Sequence, residues 1–455
     1  RAYTAVVYSK NAPPMYLLYS LAITCYAMLL APRMLYDAVR YGKYIGTLRE
    51  RWGRLPATIN PRGLPSIWIH AVSVGEVLAT GALIPALRER YPDHPLWLST
   101  TTQTGRAVAT SMDGIDGLFY FPFDLSSIVA RVLDRVRPQL FVMVDTEIWP
   151  NLLRHCEQRG VKTMLVNGRI SDRSYPRYRL VRRLFKRVLA SVHCYCVQSE
   201  ESRRRLIDLG APPEKVTVTG NLKFDVLPLP DSRAPWVRDG VLRAFRIAEG
   251  RTVVMAASTH PGEETPVLDA FGRIRRGDPT ALLVIAPRHP ERSGEVTALA
   301  AGHGLETLRR SELPVDGEPR VAVVVLDTVG ELATLLQIAT VVYLGGSLIP
   351  AGGHNVLEPA AWGKPVVFGP HMENFAEIAE LFIDNQAACQ IRSAEALEPA
   401  LSNLVGDPVR RAALGAAARA LVEANRGATD RSLAAMAALL QPAHDAPAGV
   451  LMPFR

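Results

Sequence analysis

Glu76 closes the turn Ser73-Val74-Gly75, directly after the apolar run Ile67 to Val72. A carboxylate placed there can take the proton from an attacking hydroxyl, although a glutamate in the first turn of a helix is also favoured by the helix dipole alone. The densest motif lies far downstream: Gly345-Gly346-Ser347, then Gly352-Gly353-His354-Asn355-Val356-Leu357-Glu358-Pro359, then Gly363-Lys364-Pro365 and Phe368-Gly369-Pro370. An apolar run, Thr340 to Leu344, stops at the first glycine pair, and Asn355 to Trp362 reads as a short helix before a second run, Pro365 to Phe368. Strand, glycine loop, helix and strand make a βαβ unit in which backbone can approach a ligand at a helix N-terminus. Glu358 falls in that first turn, where it could accept hydrogen bonds from ligand hydroxyls. A lone Gly-Gly is an ordinary tight turn. Two pairs followed by Gly-His-Asn-x-Leu-Glu-Pro favour a binding site.

Other turns carry chemistry of the same kind. Pro287-Arg288-His289-Pro290 and Asp327-Thr328-Val329-Gly330-Glu331 each follow an apolar run, as does Ser258-Thr259-His260. A cation at Arg288 and two helix N-termini, at Gly330-Glu331 and Asn355-Glu358, suit a phosphate attached to a sugar. His260 and His354, at proline and glycine turns, are open to function, whereas His70 on a strand body reads as a satisfied core histidine. Asp124 reads as a turn or cap. The first βα unit has no G-x-G-x-x-G, and Walker and G-x-S-x-G sequences are absent, so dinucleotide, P-loop and acyl-hydrolase chemistry find no support. The five cysteines lack metal-ligand spacing and imply neither a metal site nor a disulfide framework.

These residues need elements to hold them. Runs at Ile67–Val72, Leu96–Thr101, Gln139–Val144, Val161–Val166, Val192–Val197 and Val216–Thr219 alternate with helical stretches, one of them running from Glu76 to about Arg90. Three prolines then interrupt the pattern, and a second set follows at Thr252–Ala257, Ala281–Ala286 and Val321–Leu326. Such alternation predicts parallel, doubly wound sheets, which bind ligands at the carboxyl ends of their strands. Glu76, Glu147 and Asn167 fall at those ends. The expected fold class is α/β: two Rossmann-like domains with a cleft between them. The boundaries are an anchor and basic segment at 1–45, an N-terminal domain at 46–226, a linker at 227–240, a C-terminal domain at 241–441 and a disordered tail at 442–455.

Composition limits the partners. Hydrophobic residues make up 48% of the 455 and charged residues 21%, enough apolar mass for sizeable cores. The formal net charge of +8 is uneven: residues 1–230 carry 31 Lys+Arg against 18 Asp+Glu, and residues 231–455 carry 21 against 26. The basic half is therefore expected to face something anionic. Met15 to Ala31 is 17 residues without a charge, at the short limit for a bilayer span, and Arg33, Arg40, Lys43, Arg49, Arg51 and Arg54 follow it. The positive-inside rule then predicts a membrane anchor, spanning or half-embedded, with the body of the protein on the cytoplasmic side. The Arg-rich stretch 169–187 reads as a solvated face or as contact with anionic lipid. Nucleic acid is not expected, since no recognition module accompanies the charge.

HAVSVGE (70–76), DTEIWPNL (145–152), NGRIS (167–171), VTGNLKFD (218–225), STHPGEE (258–264), APRHPER (286–292), DTVGEL (327–332) and the glycine stretch 345–375 resemble, in order, the 3-deoxy-D-manno-octulosonic acid (Kdo) transferase family. The resemblance implies a GT-B fold and inverting transfer of Kdo from CMP-Kdo to a lipid A precursor, lipid IVA, in lipopolysaccharide core synthesis, with no cofactor and no metal. It matches Glu76 to the general base. It matches Pro287-Arg288, Val329-Gly330-Glu331 and Asn355-Val356-Leu357-Glu358 to the CMP-binding segments, and Glu147, Lys223 and His260 to other motifs. Asp145 and Val329 depart mildly from the pattern, where glutamate and methionine are usual. The alternatives are a GT-B enzyme using a UDP-sugar, either transferase or epimerase, and a non-catalytic membrane-associated scaffold.

Overall fold

The computed structural model describes residues 14–41, 46–172, 174–226, 247, 250–313 and 321–440. The expected linker and the expected tail both fall entirely outside the described residues. The chain forms two units: Arg1–Val226 with Arg426–Arg455, and Leu227–Asn425.

The first unit is built on seven strands: β1 (Ser66–His70), β2 (Leu96–Thr100), β3 (Gly117–Tyr120), β4 (Pro138–Val144), β5 (Lys162–Gly168), β6 (Cys194–Val197) and β7 (Val216–Val218). Their order is β3-β2-β1-β4-β5-β6-β7, and every pairing is parallel. Parallel neighbours need crossover connections, which is why helices separate the strands and cover both faces. The helix Ser126–Val136 shows the pattern: Ile128, Val129, Val132, Leu133 and Val136 form one buried stripe. Trp68 of β1 sits at the centre of the core, with ring centroids 4.7 Å from Phe141 and 5.5 Å from Phe119.

The second unit repeats the plan with β8 (Val253–Thr259), β9 (Leu282–Pro287), β10 (Thr307–Arg309), β11 (Val323–Val325), β12 (Val341–Leu344), β13 (Val366–Phe368) and β14 (Cys389–Gln390). The order is β10-β11-β9-β8-β12-β13-β14, again all parallel. In each sheet the first strand lies beside two others whose connections leave in opposite directions: β1 between β2 and β4, β8 between β9 and β12. That reversal opens a crevice at the carboxyl ends, the place where doubly wound sheets bind ligands.

Several expectations change. The helix from Glu76 to Arg90 is two helices, Val74–Ala79 and Leu83–Arg90, because Thr80 turns its hydroxyl to the carbonyl of Val77 and Gly81 offers no side chain to continue the stripe. The last helix, Ala428–Leu440, belongs to the first unit, which corrects a second domain running to residue 441. Asp225 caps it by accepting from the backbone of Gly427 (2.8 Å) and Thr429 (2.6 Å). Ala428, Leu433 and Met436 then enter the same core as Leu140, Val142, Met164 and Cys196.

The amino-terminal helix, Pro14–Tyr41, exists, with Pro32 inside it. One face docks on the first unit: Tyr16 is buried beneath Arg154, the Tyr19 hydroxyl donates to Asp124 (3.0 Å) and Asn151 donates to the Ser20 hydroxyl (3.0 Å). Leu17, Leu18, Leu21, Tyr26, Met28 and Leu29 are exposed. Among the described residues no helix is long and apolar enough to cross a membrane.

Candidate active site

In the first unit the crevice at the reversal point collects acids. Glu76 enters from the β1 turn; its Oε2 accepts the Val72 amide at 2.6 Å and its Oε1 the Ser73 hydroxyl at 2.9 Å. The turn thus holds the carboxylate in one orientation. Asp145 and Glu147 enter from the end of β4. Asp145 and Asn167 both take left-handed backbone, φ 57° and 56°, which is uncommon outside glycine and is held here by contacts. Asn167 donates to Asp145 Oδ1 (2.7 Å), accepts the Leu222 amide (2.9 Å) and gives its carbonyl to Gln198. Asparagine is thereby the joint between the β4, β5 and β7 ends.

Burial is the main force on these acids. It lifts Glu76 to about 7, opposed by the Val72 amide and reinforced by the charge of Asp145. Burial and then the charges of Glu76 and Asp145 lift Glu147 to about 8. Repulsion between two carboxylates is mutual, so the pair favours one proton near neutrality, and Glu147 holds it more firmly. Glu76 is left as the group that changes state at neutral pH, the property a general base needs.

Lys223 lies in the single 3₁₀ turn Leu222–Phe224, its amide capped by Asn221 Oδ1 at 3.0 Å. His70 is fully buried, as expected of a core histidine, and stacks on Phe121 with centroids 3.7 Å apart. Its Nδ1 lies 3.1 Å from the Ser99 carbonyl, and burial pushes its pKa down to about 3. Asp124 is a cap, but for a helix remote in sequence: it accepts the amides of Asn151 (3.0 Å) and Leu152 (2.8 Å) at the start of Pro150–Gln158.

The second unit is built differently. Glu263, following β8, is fully buried and receives the Tyr343 hydroxyl and the backbone of His260, Gly346, Ser347 and Leu348. The rings of His260 and His354 stack, with their Nε2 atoms 3.0 Å apart. Burial lowers both, His354 to about 4, so each is neutral and one donates to the other. Arg288 continues from β9 with its amide on the Thr259 carbonyl (2.9 Å), and its positive charge acts on His260, His354 and Glu358. Burial raises Glu358, while Asn355 donates to its Oε1 at 3.2 Å.

Arg288, His260, His354, Asn355 and Glu358 are therefore one group. Pro287, Val356 and Leu357 are buried and shape it by packing. The short helix begins at Leu357, with the Asn355 side chain accepting the Leu357 amide. Val329 is 86% exposed and Gly330 has φ 92°, while Glu331 is held by Thr328 and by Arg310 (3.2 Å). Among the described residues no three His, Cys, Asp or Glu side chains are grouped as a set that could hold a metal. Two residues had no assigned role from sequence: Glu263, four of whose five partners are 80 to 85 positions away, and Asp145, visible only as a motif departure.

Two all-parallel, doubly wound sheets in one chain define the GT-B class of glycosyltransferases and sugar-nucleotide epimerases. The UDP-GlcNAc 2-epimerase of Neisseria meningitidis, solved with UDP-GlcNAc, shares this fold, with a TM-score of 0.55 at 14% identity over 82% of this chain and 100% of that one. Sequence narrows the class. Residues 46–226 match the family model described as 3-Deoxy-D-manno-octulosonic-acid transferase (kdotransferase). The 3-deoxy-D-manno-octulosonic acid transferase of Haemophilus influenzae is 34% identical over 410 residues, 87% of this chain and 92% of that protein. The Bordetella pertussis enzyme is 36% identical over 396 residues, 85% of this chain and 90% of that protein. The chain belongs to the 3-deoxy-D-manno-octulosonic acid transferase family and is a glycosyltransferase.

Proposed function

We propose that this protein moves Kdo from CMP-Kdo to a phosphorylated lipid A precursor, lipid IVA, with inversion and with Glu76 as general base. The observation that carries the reading is Glu76 itself: a half-buried carboxylate, fixed by the Val72 amide and the Ser73 hydroxyl, with its pKa lifted to about 7. The acceptor hydroxyl attacks the anomeric carbon, its proton passes to Glu76, and CMP leaves with the bonding pair. A single displacement with no enzyme nucleophile inverts the centre. The second unit holds the nucleotide: Arg288 offers the phosphate a cation, and Glu358 and Asn355 offer acceptors and donors to a sugar.

The surface supports an anionic lipid acceptor and a membrane location. Helices Tyr175–Leu180 and Arg182–Ala190 present Arg179, Arg182, Arg183 and Lys186 around Leu180, which is 87% exposed. Basic residues around an apolar tip suit an anionic lipid surface. The exposed side of helix Pro14–Tyr41 adds apolar area, so the protein lies half-embedded on the cytoplasmic face of the inner membrane. The test is incubation of wild type and Glu76→Gln with CMP-Kdo and lipid IVA, followed by mass spectrometry of the lipid. Wild type adds the mass of Kdo and the variant does not; near-normal product from Glu76→Gln rules the base out.

A further inference from the structure

Glu263 has no exposed surface, yet its two oxygens meet five donors. Oε1 accepts the Tyr343 hydroxyl at 2.8 Å and the amides of Ser347 and Leu348 at 3.0 Å each. Oε2 accepts the amides of Gly346 at 2.7 Å and His260 at 3.0 Å. Three successive amides, Gly346 to Leu348, converge on one carboxylate. Consecutive N–H groups turned to one side form a cup that binds anions, and a glycine loop at the end of a central strand is where such a cup usually receives a phosphate. Here the chain fills the cup with its own anion.

Two consequences follow. An incoming phosphate has no open N–H at 346–348 and must be held by other groups, Arg288 foremost. The same carboxylate ties the β8 turn to the β12 turn, since it bonds His260 and Gly346 together. Gly346 in turn sets His354: it accepts the Gly353 amide at 2.8 Å, has φ +65°, and lies so close that a Cβ on it would stand 3.0 Å from His354 Nε2. A shift of the Gly346 loop is therefore passed to both rings of the His260–His354 pair.

We propose that Glu263 is a positioning residue of the nucleotide site, an internal anion that stands in the amide cup of Gly346 to Leu348 and fixes the His260–His354 pair beside Arg288. This rests on reading the second unit as the half that holds the nucleotide. Amide hydrogen exchange on the wild-type protein tests the cup. The amides of 346–348 are expected to be strongly protected without ligand and unchanged by saturating CMP, while protection at 354–358 rises. Fast exchange at 346–348 that CMP suppresses overturns the proposal. If wild type binds no CMP, the nucleotide reading fails, and the ligand-free protection of 346–348 still decides the cup. Calorimetric titration with CMP tests the positioning. Glu263→Gln is expected to weaken CMP about tenfold or more, since an amide cannot serve all five donors. Tyr343→Phe, which removes one donor and leaves the loop amides paired, is expected to stay within about twofold. A folded Glu263→Gln with lowered thermal midpoint and unchanged CMP affinity shows a structural role alone and overturns the positioning. If that variant does not fold, Glu263→Asp, which keeps the charge and shortens the reach, is read against the same two outcomes together with wild-type exchange.

Discussion

Two glutamates, one in each unit, occupy the same topological place and differ in how the chain satisfies them: Glu263 is fully buried and Glu76 half-buried. Glu76 and Glu263 both follow the strand at the point where a doubly wound sheet reverses. Glu263 meets five donors, three of them consecutive amides, and its carboxylate is an architectural part. Glu76 has two close donors and faces the charge of Asp145, and burial raises its pKa toward neutrality. The lesson is that position at the reversal point selects for function, but the count of donors decides which function. An acid satisfied by the protein holds loops in place; an acid left short of donors is available for protons.

The comparison breaks most readily through stability. Glu263→Ala leaves four amides and a hydroxyl without their acceptor, so denaturant unfolding followed in the second unit should show a loss on the order of 3–5 kcal/mol. Glu76→Ala should change stability by less than about 1 kcal/mol at pH 6. Equal losses from the two substitutions would erase the distinction.

The acid cluster also predicts a pH effect on stability with a definite sign. Glu147 holds its proton more tightly folded, with a value of about 8, than unfolded, with the ordinary glutamate value near 4.5. Its contribution is therefore fully present below the unfolded value and is lost as pH rises through about 8. Glu147→Gln should gain roughly 1–2 kcal/mol over wild type above pH 8 and little at pH 4, after discounting for partial exposure. Paired melts at pH 4 and pH 9 check this.

Activity should follow the ionised form of Glu76, rising with pH through an apparent value of about 7. Asp145→Asn keeps an oxygen for Asn167 but removes a charge that raises Glu76, so its profile should move to lower pH. Relative to its own plateau, the variant should be about two- to fivefold more active than wild type at pH 6. A profile that moves upward would separate Asp145 from the cluster. Tyr343→Phe is expected to have a small effect, about 1 kcal/mol in the second unit, since one donor of five is removed.

Much of this was legible in sequence, for a physical reason. Parallel strands buried on both faces read as unbroken apolar runs, so β1, β4, β8 and β12 are plain, and the turns that end them carry Glu76, Glu147, His260 and the glycine loop. Short edge strands are not plain: Gly117–Tyr120, Thr307–Arg309 and Cys389–Gln390 are two to four residues long and carry too little periodicity. The return of helix Ala428–Leu440 to the first unit depends on Asp225, a contact across 202 positions at Gly427 that no local pattern encodes. Glu263 was hidden likewise. In sequence it is one of two glutamates opening a helix, and only the fold brings it to Gly346, 83 positions on.

The most direct test of the account is the turnover of Glu76→Gln with CMP-Kdo and lipid IVA, measured beside its affinity for CMP. A general base predicts a fall in kcat of about 10²–10⁴ with CMP affinity within twofold of wild type. Turnover within a few-fold of wild type, or a loss matched by failure to bind CMP, would contradict it.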